Sequence, residues 1–446
     1  MIYVYNKMRA CDRYLLSGAC LFVVLSVLMY HAIPTPAAHF DRDSAIYERI
    51  ARNVYDHGEL ADPADAHTAP VQTVIYPLFL GLVYKLGGAH IHTIVVVHVL
   101  LSLISMWLVY RIAAMLFRKE IAAITVILYA CNIGLLTYAQ FVLAETLLTC
   151  VLMLFLERFV TYLTAHNLRA LVHAGIALGC SIIIKPMALF YPFVLLPWIW
   201  WIDARRVKAM LVFLVASYAP VGIYMTRTYV KYNAFALAPM MSLNMYQCFL
   251  SKVIGRLEGR AAHDIAQTTL ACTAHDALDE HGWDTARTLF YANVYEHPGT
   301  FVYVWLLNVS KTVFGLFSTQ LKMLFAPCGT THSFFASQGT MTMRMYQYVV
   351  GGTPYKALQC IAMLEAIWSL LRWLLVFVAC GIFMRQRQYV LLMFFVMYCA
   401  QLAFVTGMDG CCRYRATFEP VLLMLAAVGV YALVRSPCNV LRKIEA

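Results

Sequence analysis

Charge is scarce in this chain of 446 residues: Asp, Glu, Lys and Arg make up only 13% of it, against 62% hydrophobic residues. With a mean hydropathy of +0.69, that balance excludes a soluble globular domain and calls for lipid as the solvent. The local motifs of soluble enzymes are missing too. There is no glycine-rich P-loop and no H-E-x-x-H helix, so neither a nucleotide cradle nor a zinc-protease helix is encoded. The 14 cysteines stand singly, mostly in apolar segments, as at Cys131, Cys150, Cys180, Cys380 and Cys399. Without zinc-site spacing they read as small core residues. Only Cys248 and Cys272 share a polar loop where a disulfide could form, and the adjacent Cys411 and Cys412 make poor partners for each other. No internal repeat or low-complexity tract divides the chain, so a single membrane domain over residues 1–446 is expected.

What is present is a succession of apolar runs, each about 18 residues or more and so able to cross roughly 30 Å of hydrocarbon as a helix. Backbone polar groups in lipid must be satisfied within each segment, so the expected fold is an all-α polytopic bundle of about 10 to 12 transmembrane helices. Spans are expected near 14–33, 92–110, 121–139, 142–163, 170–184, 187–202, 208–227, 358–384, 388–407 and 414–435. Residues 300–324 are ambiguous because Lys311 and Lys322 interrupt them, and they are expected to lie in the interface. The first run reads as an uncleaved anchor or a signal peptide, its length favouring the anchor.

The net charge of +11 gathers in short connections, as at Arg111, Arg118 and Lys119, or Arg205, Arg206 and Lys208. Such clusters mark the inner side and keep the basic N-terminus there. The outer side then receives a first outer loop at 34–91, polar over 34–72, and a large polar outer loop at 228–298. In the first, residues 44–57 place Ile46, Tyr47, Ile50, Ala51 and Val54 on one face, the pattern of a helix lying in the interface. The apolar run 76–86 is too short to span.

That topology collects ionisable groups on the outer face: Asp41, Asp43, Glu145, Lys185, Arg227, Asp409, Arg413 and Arg415. Ionisable side chains beside lipid are costly and therefore point to function. A carboxylate can act as general base toward an acceptor hydroxyl while Arg and Lys hold a leaving phosphate. Arg227 joins the phosphate candidates by its place at the end of a span. Each group also has a plainer reading. Asp43 caps the helix beginning at Ser44, Glu145 is an intramembrane ion-pair partner, and Arg413 and Arg415 are topology markers. His67 is either a solvated loop histidine or a supporting group near the site. Trp198, Trp200 and Trp201 read as an interface belt.

Several stretches, in order, resemble the GT-C superfamily of polyprenyl-phosphate-sugar-dependent glycosyltransferases, near the protein mannosyltransferases and the lipid A aminoarabinose transferases. They are DSAIYERIARNVYDHGEL (43–60), IYPLFLGLVYKLGG (75–88), LAETLL (143–148), IKPMAL (184–189), EHPGTFVYVWLLNVSK (296–311) and CRYRATFEPVLLMLAA (412–427). The resemblance implies a GT-C-like bundle with interfacial helices in the first outer loop. It implies Asp43 as the catalytic carboxylate, Glu145 as a second acidic site residue, Lys185 as a basic one, and Arg413 and Arg415 near the donor phosphate. Tyr47 and Tyr76 fall in the same motifs as supporting positions, and Asp41 stands in for a second acidic residue that some members place where this chain has Ser44. The resemblance further implies sugar transfer with inversion, on the outer face of a bacterial inner membrane, to a lipid, glycan or protein acceptor. No cofactor is required, although a divalent cation assists some relatives. The chain departs from the family at Gln72, Thr73, Val74 and Ile75, where the family commonly has Arg-Pro-Pro ahead of its Tyr-Pro. The rival reading is a multi-span transporter or lipid flippase, which would favour matching halves with broken helices. A silent scaffold of envelope assembly would tolerate Asp43→Asn.

Overall fold

Each run expected to span is helical, one of them as two helices, in the computed structural model, which describes residues 2–64, 72–235, 237, 244–260, 265, 280–325, 339–351 and 355–435. His67 and Cys272 lie outside the described residues. The first ten helices are α1 (Ile2–Ala32), α2 (Arg42–Asp56), α3 (Ile75–Gly87), α4 (Ile91–Leu116), α5 (Lys119–Ala130), α6 (Ile133–Gln140), α7 (Glu145–Ala165), α8 (Leu168–Ile184), α9 (Tyr191–Ile202) and α10 (Arg206–Tyr232). The remainder are α11 (Leu250–Glu258), α12 (Glu280–Glu296), α13 (Pro298–Phe314), α14 (Ser318–Phe325), α15 (Met341–Val350), α16 (Lys356–Arg385), α17 (Tyr389–Val405) and α18 (Glu419–Val434). The described residues contain no strand.

Among the described residues six helices are long and apolar enough to cross a membrane, or eight if each of two bent pairs makes one span. The expected span at 121–139 breaks at Cys131 and Asn132, and α5 and α6 meet at 50°. The ambiguous stretch 300–324 breaks at Gly315, where α13 and α14 turn through 73°. The 3-10 turn Thr406–Met408 extends α17 to 20 residues, whereas three other expected spans, α8, α9 and α18, are helices of fewer than 18 residues. The shortest, α9 with 12 residues, covers only about 18 Å at 1.5 Å per residue. Pro186 begins a separate 3-10 turn, Pro186–Ala188, and so shortens the apolar run available to α9.

Small residues set the closest packing. A Cβ on Gly179 of α8 would lie 2.3 Å from the Ser217 carbonyl oxygen of α10, and one on Gly175 would lie 2.7 Å from the Ala216 Cβ. This glycine pair, four residues apart, lets two helix backbones approach as apolar bulk would not. The segment expected as the first outer loop is fastened to the bundle at several points. Thr73 Oγ1 donates to the Ile184 carbonyl (2.6 Å), Arg227 to the Leu60 carbonyl (2.7 Å), and the Val142 amide to the His39 carbonyl (3.0 Å). The ends of α8 and α10 and the segment before α7 therefore share one face of the bundle with α2 and α3.

Candidate active site

Four chain segments deliver charged groups to that face, each at a helix end. Asp41 and Asp43 stand at the start of α2, Glu145 is the first residue of α7, Lys185 follows the last residue of α8, and Arg413 lies in the 3-10 turn Cys412–Thr417 before α18. Helix ends are where a bundle can present polar groups without burying unpaired backbone. At the α2 start the Ser44 hydroxyl accepts from the Asp41 amide (2.9 Å), and the Ser44 amide donates to the Asp41 carbonyl (3.0 Å). Asp43 therefore does not cap the helix; it sits inside the first turn with its carboxylate free to face α18.

Arg413 is the centre. Its Nη2 lies 2.5 Å from Asp43 Oδ2, its Nε 2.8 Å from Glu145 Oε1, and its Nη1 3.5 Å from Asp41 Oδ2. Lys185 Nζ joins the same Glu145 oxygen at 2.7 Å and lies 4.7 Å from the centre of the Tyr414 ring. The Tyr414 hydroxyl donates to Asp409 Oδ2 (2.7 Å), and Lys252, from the segment expected as the large outer loop, donates to the Asp409 carbonyl (2.5 Å). Beneath Asp43 the Tyr47 and Tyr76 rings meet edge to face at 4.9 Å, and the Tyr76 hydroxyl reaches His98 Nε2 at 3.1 Å. Glu145 Oε2 is buried and has no hydrogen-bond partner among the described residues.

Burial pushes the Asp43 carboxyl group up, but the nearby charges of Arg413 and Lys185, with hydrogen bonds from Arg413 and Gln72, outweigh it and hold the group below the ordinary aspartate range. Burial, with the charges of Asp43 and Glu145, pushes the Tyr47 phenol well above its usual value, so it stays protonated. Gln72 lies in the segment that departs from the family pattern, yet it reaches Asp43.

Two expected phosphate ligands stand elsewhere. Arg227 is spent on the Leu60 carbonyl and so ties down the outer loop. Arg415 points into the bundle: its Nε pairs with Glu419 (3.0 Å), and its Nη1 donates to the Val313 and Gly315 carbonyls. Tyr414 and Lys252 are not among the site residues expected from sequence, and Gln72 stands out there only as a departure from the family pattern. Their residue types carry no signal, and only the fold brings them to the cluster. Among the described residues no three His, Cys, Asp or Glu side chains converge as metal ligands.

Residues 71–225, which include Glu145 and Lys185 but neither Asp43 nor Arg413, match the family described as Dolichyl-phosphate-mannose-protein mannosyltransferase. No curated protein sequence matches the chain. Among solved structures, the apo oligosaccharyltransferase of Archaeoglobus fulgidus is similar with a TM-score of 0.51 at 13% identity, over 95% of this chain and 51% of that one. The chain thus spans about half the length of that relative. ArnT from Cupriavidus metallidurans bound to undecaprenyl phosphate is similar with a TM-score of 0.41 at 17% identity, over 93% of this chain and 78% of that one. This multi-span membrane protein therefore shares the fold of that oligosaccharyltransferase, and a third of its length matches the mannosyltransferase family model.

Proposed function

We propose that the chain is a glycosyltransferase that moves a sugar from a polyprenyl-phosphate donor to an acceptor hydroxyl at the outer face of a bacterial inner membrane. The observation that carries this reading is Arg413 held between Asp43 and Glu145, with Lys185 on the same Glu145 oxygen. Two cations at helix ends, facing carboxylates and beside lipid, suit a reaction that cleaves a sugar–phosphate bond. The bond from the anomeric carbon to the phosphate oxygen breaks, and the acceptor oxygen forms the new bond from the opposite face, so configuration inverts. Lipid phosphate leaves with the bonding pair, and the acceptor proton departs to the carboxylate or to water.

In this scheme Arg413 and Lys185 take the phosphate oxygens, exchanging part of their pairing with Asp43 and Glu145 for charge that grows on the leaving group. Asp43 accepts the hydrogen bond of the acceptor hydroxyl and aligns it on the anomeric carbon. Its depressed pKa makes it a weak base, so alignment is its larger contribution. Arg415 and Arg227 take no part, and no step is routed through a divalent cation. The acceptor class stays open among lipid, glycan and protein.

The test is transfer of radiolabelled sugar from a panel of polyprenyl-phosphate sugars in membranes carrying the protein or its Asp43→Asn form, with envelope extract as acceptor. Transfer that needs Asp43 supports the reading. If the folded protein transfers from no donor while a known transferase works alongside, the reading fails and lipid translocation becomes the next assay.

A further inference from the structure

Two residues beyond Arg413 the same turn enters a second set of charges, buried inside the bundle and apart from the outer cluster. Glu419, the first residue of α18, is fully buried and holds three partners. Oε1 accepts from Asn132 Nδ2 (2.9 Å) and pairs with Arg372 of α16, and Oε2 pairs with Arg415 (3.0 Å). Each link leads to a helix break or a neighbouring helix. Asn132 sits at the bend between α5 and α6, where its Oδ1 caps α6 by accepting from the Leu135 amide (3.0 Å). Arg415 sits at the bend between α13 and α14, where its Nη1 donates to the carbonyls of Val313 (2.9 Å) and Gly315 (2.6 Å).

The far side of that second bend is closed by a carboxylate. Both oxygens of Glu365 on α16 accept backbone amides, from Phe317 and Ser318, each at 2.6 Å. A cation thus sits at the C-terminal carbonyls of α13 and an anion at the N-terminal amides of α14, which is the arrangement the helix dipoles favour. It also satisfies the backbone groups that a break inside a membrane bundle leaves open. The two breaks touch: a Cβ on Gly134 of α6 would lie 2.3 Å from the Phe317 ring. Beside them is a cavity of about 230 Å³, lined in part by Asn132, Phe317, Arg372 and Glu419. Close packing is incomplete at this junction, so the ion pairs and hydrogen bonds must fix its geometry.

We infer that Glu419 is a positioning residue for the proposed transfer: by pinning Arg415, Arg372 and Asn132 it locks two helix breaks to the turn Cys412–Thr417 and so sets Arg413 against Asp43 and Glu145. The inference rests on the transferase reading for its kinetic consequence, while its geometric part does not. Removing Glu419 alone would leave two buried arginines against one carboxylate, and the protein could simply fail to fold. The test therefore uses Glu419→Gln with Arg372→Met, which removes one charge of each sign and leaves Arg415 balanced by Glu365.

Two quantities are read on the folded double variant, with its thermal midpoint in detergent compared with that of the wild type. One is maleimide labelling of Cys412, which is 7% exposed in the structure and lies in the turn beside Arg413, resolved from other cysteines by peptide mass. The other is transfer kinetics. Loosening the turn is expected to expose Cys412 and to lower kcat about a hundredfold, the scale of an ångström misplacement at a reacting centre, with the acceptor KM unchanged. A folded double variant with Cys412 still protected, or with unchanged kcat, overturns the proposal. If the double variant does not fold, Arg415→Lys keeps the charge but cannot serve Glu419 and two carbonyls together, and the same outcomes decide. Labelling needs no sugar donor. Cys412 exposed in the variant of a protein whose wild type transfers nothing would sink the transferase reading while leaving the geometric claim standing.

Discussion

Arg413 and Arg415 lie two residues apart in one short turn, yet they belong to different kinds of site. The Arg413 side chain keeps 12% of its surface accessible; two of its partners, Asp43 and Asp41, keep 25% and 16%, while the third, Glu145, keeps 1%. Arg415 and Glu419 keep none, and Arg372 keeps 2%. Around Arg413 the ion pairs join side chains only and can be exchanged for a ligand. Around Arg415 they end on backbone carbonyls and amides at helix breaks, where exchange would strand buried polar groups. Residue type does not separate a binding cation from a structural one; access to solvent and the nature of the partners do.

The comparison can be broken from either side. The largest effect is expected from Glu419→Gln alone, which leaves an uncompensated buried charge and should cost about 3–5 kcal/mol of stability, read as a lowered thermal midpoint in detergent. Retained stability would mean that the inner network is not the structural half of the pair. Arg413→Met is expected to lower transfer about 100- to 1000-fold, the range for removing a donor that stabilises developing charge, with the fold intact. If it unfolds the protein and spares transfer in the folded fraction, the two arginines have been assigned the wrong way round.

Gly134→Ala would press a methyl group into the Phe317 ring and should destabilise by about 1–3 kcal/mol, as overpacking does; calorimetry of the purified protein checks it. Arg227→Met removes the hydrogen bond to Leu60 and should cost about 1 kcal/mol, with transfer close to that of the wild type. A loss of transfer matching that of Arg413→Met would return Arg227 to the phosphate site. The smallest change near neutrality is expected from pH. Because the folded Asp43 pKa is depressed, its contribution to stability is complete above the unfolded value of about 3.9 and is lost as pH falls through the lower folded value. Transfer should follow the same acid limb, and Arg413→Gln should move that limb upward in a pH–rate profile.

Much of the outer cluster was legible in the sequence. Asp43, Glu145, Lys185 and Arg413 interrupt or border apolar runs on one side of the expected topology, and lipid makes such placements costly enough to read. The inner network obeys the same rule, since Glu365, Arg372 and Glu419 also interrupt apolar runs. It escaped notice because pairing across α5, α13, α16 and α18 has no sequence period. Arg415 was grouped with Arg413 because two residues of separation say nothing about direction in a 3-10 turn.

Composition and hydropathy by themselves determined that this is a helical membrane protein, because lipid leaves a hydrophobic backbone little else to form. The order of its motifs pointed to the fold that the structure shows, and the charged helix ends pointed to the face where the cluster forms. Only the tertiary structure decided where two apolar runs break and which arginine faces outward. Those choices depend on partners far along the chain, from the 47 residues between Ser318 and Glu365 to the 287 between Asn132 and Glu419, and no local pattern encodes a distance between helices.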